Sequence, residues 1–478
     1  MRTYFGSHNH TTIGSNIRLL DSINKVEDLI DKAIELGLSG IAITDHESLS
    51  AHIAALQHYD KIKETYPNFK LALGNEIYLT DDRRTGQKYF HFILIAKDAI
   101  GHRALRELSS QSWFYSYSDR GMERVPTLKS ELSEVVKKFK GHLIATTACI
   151  GGELPTWILK YTAAKKVNMM KEAVEYYQKI ESFIKFCLDL FGEDFYIECA
   201  PGTSEEQILV NQVSRNVAKY YNIPMIVATD AHYLTKAERP VHKAYLNSKE
   251  GDREVDSFYE YTYLMNYDEL EQLLKFSFGD DIDFIDSIID NTRKIESKIE
   301  SYSLAHHQDI PKVEVKNYPK SSWWGNNNPD ADDMENYPNL KKLFTSEDVQ
   351  DRYWVNECWN KLNEIGHGWK QYKENGDARY LKELEEEARV KSIISEKLET
   401  NMFRYPNTLQ HYIDMIWDCG STVGAGRGSS CAALNHYLLG ITQLDPIEWN
   451  LPFFRYLNDE RVELGSLLLI LPSCKKRM

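Results

Sequence analysis

Five of the fifteen histidines in this 478-residue chain sit at the ends of short apolar runs beside acidic residues: His8, His10, His46, His91 and His232. His8-Asn9-His10 follows Thr3-Tyr4-Phe5, and two imidazoles at i and i+2 of an extended backbone point to the same side. Ile41-Ala42-Ile43 runs into Thr44-Asp45-His46, Gly74-Asn75 leads to Glu76, and Val227-Ala228-Thr229 runs into Asp230-Ala231-His232. A further run ends in Cys149, read either as a thiolate ligand or as a buried free cysteine. Phe195-Tyr196-Ile197 ends in Glu198, a carboxylate near the rim or a solvated strand residue. Nine N, O and S donors (His8, His10, Asp45, His46, Glu76, His91, Cys149, Asp230, His232) exceed what one tetrahedral zinc requires and suit a cluster of two or three ions. Such a cluster serves phosphoester hydrolysis, lowering the pKa of a water and clamping phosphate oxygens. Mixed imidazole and carboxylate ligands admit zinc, manganese or iron. The other ten histidines, His52, His58, His306 and His307 among them, lack acidic company and read as surface or structural.

Strand ends must hold these groups. From Met1 to about Tyr267, β-type runs alternate with amphipathic stretches, the pattern of an α/β fold. Val26, Leu29, Ile30, Ala33 and Ile34 recur at helical spacing, with Gly37 as a stop. Seven strands are expected, near Thr3 to Phe5, Gly40 to Ile43, Leu71 to Leu73, Phe92 to Ala96, Leu143 to Thr146, Phe195 to Ile197 and Met225 to Ala228. They suggest a barrel with its chemistry at one rim. Leu71 to Lys97 reads as a hairpin; a centre between Arg83 and Arg84 would set Glu76 opposite His91. Beyond Tyr267 come helical stretches at Leu270 to Phe276 and Ile282 to Ile299. Pro311 to Pro338 is rich in Pro, Asn, Asp and Trp, with Trp323-Trp324 as a docking element. A charged helix is expected over Leu381 to Leu398, and the aromatic stretch His411 to Trp417 leads into a Gly-rich turn.

Hydrophobic content of 42%, no apolar run of membrane-spanning length and no leader at Met1 are read as a soluble, unexported, cytoplasmic protein without a membrane partner. Seven cysteines without a Cys-x-x-Cys pair do not form a disulfide framework. A net charge of −14 opposes a general nucleic-acid-coating role but allows a polynucleotide substrate held through metal ions.

The constellation resembles the PHP (polymerase and histidinol phosphatase) domain, a distorted seven-stranded barrel with a trinuclear metal centre. The resemblance implies that the nine donors named above are its ligand set, with Asp45, His46, Asp230 and His232 at the catalytic centre and Glu198 a neighbour.

Further on, Val423-Gly424-Ala425-Gly426-Arg427-Gly428-Ser429-Ser430, Leu438 to Thr442, Asp445-Pro446 and Phe454 to Arg461 together resemble the start of the palm of the bacterial replicative polymerase, the DNA polymerase III alpha subunit of the C family. Tyr261 to Leu264 and Asn291-Thr292 resemble the junction after that family's PHP domain. Gly426, Arg427, Gly428, Ser429 and Ser430 would then cradle a nucleotide triphosphate through backbone N–H groups, a guanidinium and hydroxyls. The family's Asp-x-Asp is replaced by Gly465 to Pro472, and its aliphatic side chains cannot ligate magnesium. Magnesium enters the palm only if carboxylates come from elsewhere. The expected organisation is a PHP phosphoesterase domain over 1–267, a helical connector over 268–310, an irregular insertion over 311–375 and an incomplete, mostly helical palm over 376–478. The implied partners are DNA, a second chain carrying the rest of the polymerase, and other replisome subunits. The implied activity is phosphodiester hydrolysis, as a 3′–5′ exonuclease. A non-catalytic scaffold or a decayed or split polymerase fragment needing a partner chain, and a small-molecule phosphatase, are the alternatives.

Overall fold

The apolar runs of the first half form one curled sheet. The computed structural model describes residues 2–17, 19–84, 88–119, 122–248, 258–304, 310–320 and 333–460, and the chain divides into two compact units, Met1–Ala305 and His306–Met478. The strands are β1 (Phe5–Gly6), β2 (Gly40–Ile43), β3 (Lys70–Thr80), β4 (Phe90–Ala96), β5 (Tyr117–Asp119), β6 (Met122–Arg124), β7 (Pro126–Leu128), β8 (Leu143–Thr146), β9 (Phe195–Cys199) and β10 (Met225–Val227). The order β1-β2-β3-β4-β8-β9-β10 contains all seven strands expected from sequence. β7 adds to β3 off this path, and β5 pairs with β6; these three-residue strands are too short to leave a periodic signal.

Within the main sheet pairing is parallel except on the two sides of β4. β2 is buried along its whole length, as expected of a strand with both faces covered. Its first residue must be glycine: a Cβ on Gly40 would lie 2.3 Å from the Lys70 carbonyl oxygen. Alternation along the strands sends Ile41, Ile43, Leu94 and Val227 outward to the helices, while Phe5, Ala42, Ala72, Ile93, Ile95, Ile144 and Ile226 fill the interior.

The β3–β4 hairpin forms, but in another register. Tyr78 pairs with His91 and Glu76 with Ile93, so Glu76 and His91 are diagonal rather than opposite. A slip of two residues keeps every side chain on its face, which is why the two groups still meet.

The sheet closes through loops. The His10 N–H donates to the Ala231 carbonyl at 3.0 Å and the Ala231 N–H to the His8 carbonyl at 3.3 Å, joining the ends of β1 and β10. Buried Asn24 donates to both the His10 and Ala231 carbonyls at 3.0 Å.

The helices after Tyr267 are not a connector. Leu270, Leu274, Ile285, Ile288 and Ile289 join the main core, and Ile295 and Ile299 enter the barrel interior. There the Thr292 hydroxyl accepts from the Phe5 N–H, and Lys70 donates to the Glu296 and Ile299 carbonyls. These contacts lie at the strand starts, so this segment plugs the end away from the histidines and carries the first unit past the expected boundary at 267.

In the second unit, the stretch expected to be irregular over 311–375 contains the helices Pro338–Phe344, Val349–Glu364 and Trp369–Asn375. Asp348 caps the second by accepting from the Gln350 N–H, and Trp354, Val355, Cys358, Trp359 and Leu362 form its buried face. That helical spacing is present in the sequence, obscured by the polar residues around it. Arg379–Lys397 is the expected charged helix, and Arg404–Asp418 holds the aromatic stretch. Trp323-Trp324 and Gly465 to Pro472 lie outside the described residues. Among the described residues no helix is long and apolar enough to cross a membrane.

Because Asn24 ties the first strand to the last, Asn24→Ala should lower stability by about 1–3 kcal/mol through lost hydrogen bonds to buried carbonyls. Chemical denaturation checks this; an unchanged midpoint would remove Asn24 from ring closure.

Candidate metal centre

Strands and the turns that follow them deliver most of the groups at the rim, and three of those turns adopt a backbone that L-residues avoid. Glu47, next to His46, has φ 52°; Ala148, next to Cys149, has φ 57°; Asp230 itself has φ 48°. Each left-handed non-glycine residue costs on the order of 1 kcal/mol or more, and such strain persists only where surrounding structure imposes it. The Glu47 N–H is held by the Glu76 carbonyl at 2.9 Å, and Asp230 is flanked by the closing bridge at Ala231.

Glu76 occupies the centre. Its Oε2 lies 2.5 Å from His46 Nδ1, 3.4 Å from His10 Nε2 and 3.8 Å from His8 Nε2, and its Oε1 lies 2.6 Å from His91 Nδ1. Asp230 Oδ1 stands 2.9 Å from His10 Nε2 and 3.1 Å from His8 Nε2. Cys149 Sγ is 3.4 Å from His91 Nδ1. Three sets of donors converge closely enough to share an ion: His10 with His46 and His232, His8 with His10 and Glu76, and Glu76 with His91 and Cys149.

The rings are fixed from behind. Glu198 accepts from His8 Nδ1 at 2.8 Å and from the Thr146 hydroxyl at 2.7 Å, so it is a buried orienting carboxylate, not a solvated strand residue. His10 Nδ1 meets the Ser15 hydroxyl at 2.9 Å, and His232 Nδ1 meets the Asp230 carbonyl at 2.7 Å. Such partners select the ring nitrogen that faces a metal.

Asp45 departs from expectation. Its carboxylate turns into the Thr11–Ser15 loop and accepts from both N–H groups and both hydroxyls there, at 2.6–3.1 Å. No room remains on that side, since a Cβ on Gly14 would lie 2.0 Å from Asp45 Oδ2. The aspartate that faces the histidines is Asp21, buried, with Oδ2 3.0 Å from His46 Nε2 and 3.8 Å from His232 Nε2. Asp21 lies between β1 and the Val26–Glu35 helix, after only Leu19-Leu20 and outside any strand, so a search for strand ends does not find it; an acidic residue in the rim loop that follows His-x-His was the available signal.

The electrostatics belong to a crowded charged site. Burial opposes charge on every group. Asp21 and Glu76 nevertheless lift His46 to about 10, and Asp230 and Glu198 hold His8 well above the usual imidazole range. Burial and the neighbouring His46 and His232 push His10 down to about 3. Asp21 is held at about 2 against burial by His46 and His232, whereas burial raises Asp45 to about 6 despite its hydrogen bonds.

Asp21 Oδ1, His46 Nε2, both Glu76 oxygens and Asp230 Oδ1 are buried without an aligned hydrogen-bond partner. Orphaned buried atoms are expensive unless something else satisfies them, and this set has the chemistry of a divalent cation site. A cleft of about 300 Å³, lined by Cys149, Ile150, Thr203, Asp230 and Tyr261 among others, opens beside it.

Residues 7–201 match the PHP domain family, and residues 352–466 match the bacterial DNA polymerase III alpha NTPase domain family. A probable DNA polymerase YorL of Bacillus subtilis (strain 168) and a DNA-directed DNA polymerase of Bacillus phage SPbeta are each 40% identical over 97% of this chain. The DNA polymerase III subunit alpha of Aquifex aeolicus (strain VF5) is 27% identical over 96% of the chain. The chain thus carries a match to the PHP domain followed by a match to the DNA polymerase III alpha NTPase domain, and it is similar to the matching part of bacterial and phage DNA polymerases. It spans 36% of the length of the two Bacillus relatives and 35% of the Aquifex one.

In the polymerase III alpha segment the Gly-rich stretch is an exposed loop, followed by a Gly428–Ala432 3₁₀ turn and the five-residue helix Leu434–Leu438. Gly426 is required at φ 138°, where a Cβ would meet Cys431 Sγ at 2.6 Å. The first N–H groups of that short helix, at Leu434 and Asn435, are taken by buried Glu387 at 2.5 and 3.0 Å. These two N–H groups are therefore not free for a phosphate. The Ser430 hydroxyl donates to the Arg427 carbonyl at 2.8 Å and closes the turn on itself.

The two aspartates separate by experiment. Asp21→Asn should weaken divalent-ion binding by at least about tenfold, while Asp45→Asn should keep the ions and lose about 1–3 kcal/mol of stability. Metal content after dialysis and denaturant unfolding read the two effects; depletion in Asp45→Asn with full occupancy in Asp21→Asn would reverse the assignment.

Proposed function

We propose that the PHP unit is a divalent-metal-dependent phosphoesterase that removes nucleotides from DNA 3′ ends, within the N-terminal part of a cytoplasmic replicative polymerase of the DNA polymerase III alpha type. The observation that carries this reading is the convergence of orphaned donors from Asp21, His46, Glu76 and Asp230, together with His8, His10, His91, Cys149 and His232, at one rim. Bound ions would supply Lewis acidity, activating water and offsetting charge on the phosphate oxygens. The chain's own contribution is positional. Glu198, Ser15 and the Asp230 carbonyl orient His8, His10 and His232, and the barrel wall keeps bulk water from behind the site. His46, Asp230 and His232 are the catalytic-centre residues of this reading; Asp45 moves from ligand to support of the Thr11–Ser15 turn. The ions are two or three of zinc, manganese or iron.

The test is metal analysis with degradation of a 3′-labelled single strand. Asp230→Ala should reduce the rate by at least about a hundredfold. A metal-free protein with no activity above that variant would leave a non-catalytic scaffold; turnover of histidinol phosphate with DNA ends untouched would indicate a small-molecule phosphatase.

The Leu-rich sequence in place of Asp-x-Asp favours a second statement, that this polypeptide alone does not synthesise DNA, because hard Mg²⁺ lacks its oxygen ligands. Carboxylates from elsewhere, such as a second chain carrying further polymerase parts or other replisome subunits, would supply them. Primer extension with Mg²⁺ and dNTPs should give no product; extension by the purified chain would refute it.

A further inference from the structure

A band in which exposed lysines flank half-buried aromatic rings leads away from the metal centre. It begins where His91 is bridged to Gly152, the residue before the Glu153–Lys166 helix. One residue from His91, Phe90 packs on Trp157 with ring centroids 5.7 Å apart. Trp157 stacks on Tyr176 of the neighbouring Met170–Phe191 helix at 6.0 Å and 16°. Lys160 and Lys179 each approach the Trp157 ring to 4.8 Å, one from each helix, and Lys160 also lies 5.7 Å from Tyr176.

The ammonium groups are not neutralised within the unit. Among the described residues, Lys88, Lys160 and Lys179 make no ion pair with a carboxylate; Lys88 donates instead to the Thr156 hydroxyl at 3.1 Å. Burial and the nearby Lys160 both work against the charge of Lys88, as expected where cations gather without a counter-ion. Glu153 is the one carboxylate on its helix; it is buried and paired with Lys129. The Met170–Phe191 helix carries Glu172 and Glu175 near Tyr176, and neither is within ion-pair distance of Lys179 among the described residues.

We propose that the Trp157, Tyr176, Lys160, Lys179 and Lys88 face is a track for single-stranded polynucleotide that delivers a strand end to the metal centre. Aromatic rings on which bases stack, flanked by cations that follow the phosphates, are what single strands require, and they read no sequence. The proposal rests on the phosphoesterase reading for its destination, but binding to the track does not.

The test uses the full chain in an Asp230→Ala background and a fluorescein-labelled oligothymidylate of about ten nucleotides. Lys160→Glu, Lys179→Glu and Trp157→Ala should each weaken binding about tenfold, and Lys160→Ala should reduce the salt slope by about 0.7. In the Asp230 parent the same changes should slow oligonucleotide degradation and leave hydrolysis of bis(p-nitrophenyl) phosphate, too small to reach the track, unchanged. The lysines are exposed, so their variants carry the test even if Trp157→Ala fails to fold. Unaltered oligonucleotide binding in both Lys→Glu variants overturns the proposal, as does equal affinity for duplex. Loss of binding in variants of a parent that hydrolyses neither substrate sustains the track and refutes the phosphoesterase reading instead.

Discussion

One buried carboxylate governs the first unit. Glu76 sits fully enclosed with nitrogens of His46 and His91 within 2.6 Å and His10 within 3.4 Å, and His8 at 3.8 Å. An isolated ionised carboxylate in such a place would cost many kcal/mol. Its neighbours hold it well below the usual carboxylate range despite burial, so the charge is retained and must be matched by protons on imidazoles or by cations. Protonating several rings in mutual contact is unfavourable, since they repel: His10 and His46 stack at 4.0 Å and His10 and His232 at 4.4 Å. Divalent ions would relieve both problems at once, giving the carboxylate a counter-charge and the imidazoles a neutral state in which to donate.

That demand explains features of the fold that packing alone does not. A barrel core needs no left-handed backbone at Glu47, Ala148 and Asp230, yet all three are found beside site residues, where the turn must aim a side chain inward. The closing hydrogen bonds between the β1 and β10 ends use the backbones of His8, His10 and Ala231. Closing the ring and placing donors are therefore the same act. At the other end Ile295 and Ile299 supply the apolar plug, which leaves the rim free of any role in sealing the core.

How much could be read from residue types follows from what each signal measures. Strand positions were legible because a buried strand must be apolar, and His-x-His, Glu76, Cys149 and Asp-x-His were legible because polar residues ending such runs have few other reasons to be there. Asp21 was not, because its loop precedes a helix and its position is set by tertiary closure through Asn24 and Ser22. Asp45 misled for the converse reason: adjacent residues of a strand end point to opposite sides, so His46 faces the centre and Asp45 its supporting turn. Hairpin register depends on turn geometry, which apolar alternation leaves undetermined modulo two residues. In the second unit, helices rich in Trp, Asn and Glu carry a weak periodic contrast, and only the contacts of Trp354 and its neighbours reveal the face.

A net charge of −14 opposes a polyanionic ligand in the far field, but net charge does not describe the site. Within a few ångströms the Debye length no longer screens, and local arrangement decides. Asp21, Glu76 and Asp230 would be turned from repulsive to attractive by the ions they hold, and Lys88, Lys160 and Lys179 stand free of carboxylate partners among the described residues. An acidic exterior with a cationic path to one rim disfavours indiscriminate coating of nucleic acid while admitting a strand along a single route. Charge of opposite sign in separate places thus sets where a strand can go.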